Sequence, residues 1–135
     1  MLSGEFRKVH QYNTFCSFAP AQHAFAEMIE RDPAHYETLG AFYQDKRDHF
    51  AAQLRETRLV PLPVPGGYFQ LVDYSAVSDL DDLAFCRWLT TEHGVAAIPL
   101  SPFYETPPAG QRLVRLCFAK SDATLDAAIA RLQAL

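Results

Sequence analysis

Between Leu59 and Gly67 the chain reads Leu59-Val60-Pro61-Leu62-Pro63-Val64-Pro65-Gly66-Gly67, with proline at every second position. Proline fixes φ and removes a backbone donor, so this stretch forbids helix and suits an extended segment at a sheet edge. The paired glycines punctuate it. On its two sides the sequence follows different rhythms.

Upstream the pattern is helical. Gly4 to Tyr12 is polar and suits the tail of a helix. Ala19 to Arg31 is rich in good helix formers, with Pro20 where a first turn tolerates it. Asp32-Pro33 reads as a cap followed by proline at the first helical position. From Ala34 to about Thr57, the residues Tyr36, Leu39, Tyr43, Phe50 and Leu54 recur at helical spacing. Gly40 costs this helix up to ~1 kcal/mol relative to alanine.

Downstream, strands alternate with helices. Tyr68 to Asp73 suits a strand. Asp79 to His93 suits a helix with Leu80, Leu83, Trp88 and Leu89 as its apolar positions. Asp79, Asp81 and Asp82 are then its first-turn acids and Gly94 its stop. Val95 to Pro99 is a short apolar strand, Ser101 to Gly110 a proline-dense loop, and Arg112 to Phe118 a second clear strand. Ser121 caps a last helix with Leu125, Ile129 and Leu132 on one face. The order predicts an α+β arrangement, an α/β two-layer domain in which a small sheet packs on helices.

The 135 residues suit one domain, and 49% hydrophobic against 21% charged residues argues against disorder. A net charge of −4 without a basic run excludes a nucleic-acid or anionic-membrane surface. Cys16, Cys86 and Cys117 form no CxxC pair, which suits reduced thiols in a cytosolic protein. The first residues carry no apolar leader, and no run approaches the ~18 apolar residues of a membrane span. A soluble, cytoplasmic protein is expected. The histidines (His10, His23, His35, His49, His93) fall in no metal-ligand pattern, and no GxSxG, P-loop or GxGxxG occurs.

Arg115 stands out. In Leu113-Val114-Arg115-Leu116-Cys117-Phe118 both alternating faces are largely apolar, so the strand is expected to be covered on both sides. An arginine placed there needs a partner, because a lone buried charge is costly. Two readings stand: an internal salt bridge, for instance to Asp73, or a guanidinium fork for a ligand carboxylate.

Four stretches together resemble the C-terminal part of fold-type-I, class I/II aminotransferases that depend on pyridoxal 5'-phosphate (PLP), in particular the methionine and kynurenine aminotransferase group. They are Arg7-Lys8-Val9-His10-Gln11-Tyr12-Asn13-Thr14-Phe15; Pro65-Gly66-Gly67-Tyr68-Phe69 with Asp73-Tyr74-Ser75; Gly94-Val95-Ala96-Ala97-Ile98-Pro99-Leu100-Ser101-Pro102-Phe103-Tyr104; and Val114-Arg115-Leu116-Cys117-Phe118-Ala119-Lys120. The resemblance implies a small, mostly antiparallel sheet packed on helices. Residues 32–135 would form the small domain, and residues 1–31 a helical remnant at the junction with a missing large domain. It implies that Arg115 grips the α-carboxylate of an amino-acid substrate. Phe69 would line the side-chain pocket, and Phe15 and Cys16 would reach the substrate pocket of a neighbouring subunit, although another family member carries histidine at the Cys16 position. For these three, ordinary packing is the competing reading.

The resemblance also implies amino transfer from methionine, an aromatic or another apolar amino acid to a 2-oxo acid, in a homodimer. Catalysis in the family uses a Schiff-base lysine. Lys8, Lys46 and Lys120 are the only lysines, and none sits in the family's lysine motif. The isolated chain is therefore expected to be inactive and to bind no cofactor. The rival readings are a non-catalytic domain that binds amino or oxo acids, and a self-associating fragment with an exposed apolar face.

Overall fold

The computed structural model describes residues 2–135, which divide into two units, one ending at Gly40 and one spanning Ala41–Leu135. The first unit holds α1 (Leu2–Asn13), α2 (Ala19–Arg31) and the start of α3 (Pro33–Leu54). Proline in the first turn of α2 loses no hydrogen bond. Asp32 accepts the His35 N–H at 3.3 Å, the cap expected at the start of α3. No residue of α1 or α2 is buried. Phe6, Phe25, Met28 and Ile29 are exposed, so this unit has no apolar core of its own.

The second unit carries the core. Its sheet has four strands in the order β1-β2-β4-β3, antiparallel throughout: β1 (Val60–Pro61), β2 (Phe69–Asp73), β3 (Ile98–Pro99) and β4 (Leu113–Cys117). β1 lies at an edge, where Pro61 needs no donor. Gln70 is buried on β2, and its amide donates to the Leu62 and Leu71 carbonyls at 2.7 Å each, which compensates its burial.

In β2 and β4 the side chains alternate between a buried and a half-buried face. Val72, Val114 and Leu116 pack in one core with Phe50 and Leu54 of α3, Phe85 and Leu89 of α4 (Asp82–His93), and Leu125, Ile129 and Leu132 of α5 (Asp122–Leu132). Each such side chain contributes roughly 1.5–3 kcal/mol of burial. The fold is thus a small antiparallel sheet with helices, as expected. The opposite face, with Phe69, Leu71, Asp73, Leu113, Arg115 and Cys117, is only half-buried. Within the second unit the expected cover on both sides is not found, because α3, α4 and α5 all contribute to the same core.

α4 begins later than the aspartates suggested. Asp81 is its cap and accepts the Ala84 N–H at 2.8 Å, leaving Asp79 and Leu80 outside the helix. The buried positions are Asp82, Phe85, Cys86 and Leu89, while Leu80 and Leu83 are exposed. At its end Gly94 adopts φ +65°, and the Val95 N–H returns to the Leu89 carbonyl at 3.2 Å.

Candidate functional site

Arg115 occupies the middle of β4, paired with Leu71 of β2 on one side and Ile98 of β3 on the other. The alternation that puts Val114 and Leu116 into the core turns Arg115 to the half-buried face. Asp73 does not pair with it. Asp73 stands opposite Leu113, and its carboxylate accepts the Ser75 N–H at 2.7 Å. Among the described residues Arg115 makes no ion pair, and its Nε is buried without a hydrogen-bond partner.

Aromatic rings take the place of a counter-ion. The guanidinium carbon lies 4.0 Å from the centroid of the Phe69 ring and 5.0 Å from that of Phe103. Cation–π contacts of this kind are worth ~0.5–1 kcal/mol at exposed sites and ~2 kcal/mol when desolvated. Phe69 sits diagonally from Arg115 on the same face of the ladder, and its ring packs against Tyr68 at 4.6 Å.

Phe103 comes from a one-turn 3-10 helix (Ser101–Phe103), not from a structureless loop. The turn is closed by the Phe103 N–H donating to the Leu100 carbonyl at 2.9 Å and the Tyr104 N–H to the Ser101 carbonyl at 3.1 Å. It is tied to α4 by Asp82, whose carboxylate accepts the Ser101 N–H at 2.6 Å. Burial alone raises the Asp82 pKa, but hydrogen bonds from the backbone of Ser101, Leu100 and Leu83 outweigh it, and the carboxyl titrates below its usual 3.8. Neither Asp82 nor Phe103 was identified individually from the sequence. Asp82 looked like one first-turn acid among three, and its contact with Ser101 spans nineteen residues.

Phe15 and Cys16 lie in the first unit. Phe15 follows α1, is 85% exposed and has φ +59°. That left-handed conformation costs a bulky residue roughly 1–2 kcal/mol. Cys16 is an exposed free thiol. A concavity of about 590 Å³ opens beside Arg115, between α5 and residues 94–98; Arg115, Cys117 and Lys120 line it with Ala123, Ala127 and Ala128, and neither Phe69 nor Phe103 contributes to it.

The lysines make no cofactor cradle. Lys8 pairs with Glu5 at 2.9 Å; Lys46 donates to Asp122 at 2.6 Å and to the Lys120 carbonyl at 2.9 Å; Lys120 lines the concavity beside Arg115. None of the three sits in the family's Schiff-base lysine motif, so the residue that would hold PLP covalently is not among them. No described helix is long and apolar enough to cross a membrane.

The small antiparallel sheet with helices against one face agrees with the fold that the aminotransferase resemblance implies. The family model for aminotransferase class I and II matches residues 7–132, and the chain belongs to that family. Its members use PLP. The methionine aminotransferase of Escherichia coli K12 is 57% identical over 99% of this chain and 34% of its own length. Kynurenine–oxoglutarate transaminase 3 of Rattus norvegicus is 36% identical over 90% of the chain and 31% of its own length. Among solved structures, an E. coli methionine aminotransferase superposes with a TM-score of 0.89 at 57% identity, covering 98% of this chain and 35% of that one. N-succinyldiaminopimelate aminotransferase of Mycobacterium tuberculosis gives 0.81 at 35% identity, covering 92% and 32%. The chain thus spans about a third of the length of the curated relatives it matches.

Proposed function

We propose that this chain is the C-terminal part of a PLP-dependent aminotransferase that moves an amino group from an apolar amino acid, methionine or an aromatic one, to a 2-oxo acid. Residues 32–135 form its small domain, and residues 1–31 the helical segment at the junction with a large domain. When bound, PLP supplies the electron sink that such amino transfer requires. The lysine that would hold it lies outside this chain, which alone is inactive.

The observation that carries this reading is the environment of Arg115. A guanidinium on a half-buried sheet face, with no carboxylate from its own chain, retains its fork of donors for an incoming anion. Two parallel N–H···O bonds to an α-carboxylate would fix the substrate's orientation at its reacting carbon. Phe69, beside the guanidinium, suits an apolar substrate side chain. Phe15 and Cys16, exposed after α1, suit contact with the pocket of a second subunit in a homodimer.

The names of two relatives, a methionine aminotransferase and a kynurenine–oxoglutarate transaminase, support a sulfur-containing or aromatic amino acid as substrate. The test is Arg115→Ala in the holoenzyme. The reading expects KM for methionine to rise by about a hundredfold, as for a charged hydrogen-bonded pair of roughly 2–3 kcal/mol. An unchanged KM for both methionine and phenylalanine removes Arg115 from substrate recognition.

A further inference from the structure

We infer that Phe103 and Asp82 are positioning residues for carboxylate recognition: Asp82 holds the Ser101–Phe103 turn so that the Phe103 ring, together with Phe69, restrains the Arg115 guanidinium. This deepens the function proposed above and rests on it.

An arginine side chain carries roughly 2 kcal/mol of rotamer entropy, which ligand binding must otherwise remove. A protein carboxylate could hold the guanidinium still, but it would occupy the same donors that a substrate needs. A ring can restrain it through the π face while leaving in-plane N–H groups for a ligand. Two rings lie 4.0 and 5.0 Å from the guanidinium carbon, and among the described residues Arg115 makes no ion pair.

The two rings are held by different means. Phe69 belongs to β2, whose ladder with β4 fixes its backbone against that of Arg115. Phe103 has no such support: the residue is 63% exposed, so packing within this unit does not fix it. Its backbone is fixed by the turn, and the turn by Asp82. Asp82 is only 8% exposed and sits in the first turn of α4 where negative charge is favoured, and its carboxylate accepts the Ser101 N–H at 2.6 Å. A hydrogen-bonded path therefore runs from α4 through Ser101 to Phe103, and a ring contact completes it to Arg115.

The test uses the holoenzyme and 4-(methylthio)butanoate, which has the carboxylate and apolar tail but no amino or oxo group to react. Calorimetry gives its Kd, and steady-state assays separate KM from kcat. Phe103→Leu should weaken Kd about five- to tenfold and raise KM alike, with kcat and Tm nearly unchanged. Phe103→Tyr, which restores a ring, should return Kd to within about twofold of the parent. Asp82→Asn should weaken Kd by a similar factor, and the Asp82→Asn/Phe103→Leu pair should be no worse than the weaker-binding single variant. If Asp82→Asn does not fold, Asp82→Glu keeps the charge with a displaced acceptor and should weaken Kd by a smaller factor. Unchanged Kd in both Phe103→Leu and the foldable Asp82 variant, with binding abolished by Arg115→Ala, overturns the inference and leaves the proposed function standing. Unchanged Kd in Arg115→Ala overturns both.

Discussion

Replacing Gly94 by alanine should destabilise the second unit by about 2–3 kcal/mol, from two separable sources. Gly94 ends α4 at φ +65°, where an L side chain costs roughly 1–2 kcal/mol. The new Cβ would also stand 2.6 Å from Arg131 Nη1, the atom that donates to the Gly94 carbonyl at 2.7 Å. Moving that flexible side chain aside sacrifices a hydrogen bond worth about 0.5–1.5 kcal/mol. The site matters beyond the helix end, because the turn leads into β3, whose Ile98 pairs with Arg115. Urea unfolding of the parent, Gly94→Ala, Arg131→Ala and the double variant forms the cycle. With m near 1–3 kcal/mol/M the midpoint should fall by about 1 M or more in Gly94→Ala. In the Arg131→Ala background only the backbone component should remain. A Gly94→Ala protein within about 0.5 kcal/mol of the parent would refute the strain argument. A penalty identical in both backgrounds would refute the contact with Arg131.

Two predictions concern pH. Asp82 has its folded pKa below the unfolded value, so its contribution to stability is present above the unfolded pKa and is lost as pH falls through the folded one. Urea midpoints of the parent should therefore fall on acidification below about pH 4, and those of Asp82→Asn should fall less; equal slopes would contradict the role given to Asp82. Tyr74 lies in the core, stacks on Phe85 with centroids 3.9 Å apart and donates to the Leu80 carbonyl at 2.9 Å. Burial first, and then the charge of Asp82, raise its pKa to about 12. Its stabilisation is complete below pH ~10 and lost as pH rises towards the folded value. Tyr74→Phe should flatten the alkaline limb of the stability profile, and an unchanged limb would show that Tyr74 does not set it.

Much of the fold was legible because local rules and tertiary packing agree. Ala19–Arg31 is the observed α2; Ser121 caps α5, accepting the Thr124 N–H at 3.4 Å; and Leu125, Ile129 and Leu132 are buried on its inner face. The alternating prolines marked an edge strand, since only an edge tolerates a missing donor. α4 was read less well. Leu80 and Leu83 were read as apolar positions of the helix, but Leu80 precedes the Asp81 cap and Leu83 faces out, and the buried apolar stripe is Phe85, Cys86 and Leu89.

At the site, strand alternation was enough to single out Arg115 and to place it on a face apart from Val114 and Leu116. Its neighbours were not legible in the same way. Phe103 reaches Arg115 from a turn with no periodic signature, held by an aspartate nineteen residues away in sequence. Long-range contacts of this kind leave no local pattern. The salt bridge to Asp73, one of the two readings of Arg115, is not made; the Asp73 carboxylate accepts the Ser75 N–H, and aromatic rings lie beside the guanidinium.

The most direct measurement is a crystal structure of the holoenzyme with 4-(methylthio)butanoate bound. Carboxylate recognition by this chain predicts two Arg115 N–H groups about 2.7–2.9 Å from the two ligand oxygens, with the Phe69 and Phe103 rings still beside the guanidinium. A ligand carboxylate bound elsewhere, or an Arg115 fork closed on a protein carboxylate, would contradict it.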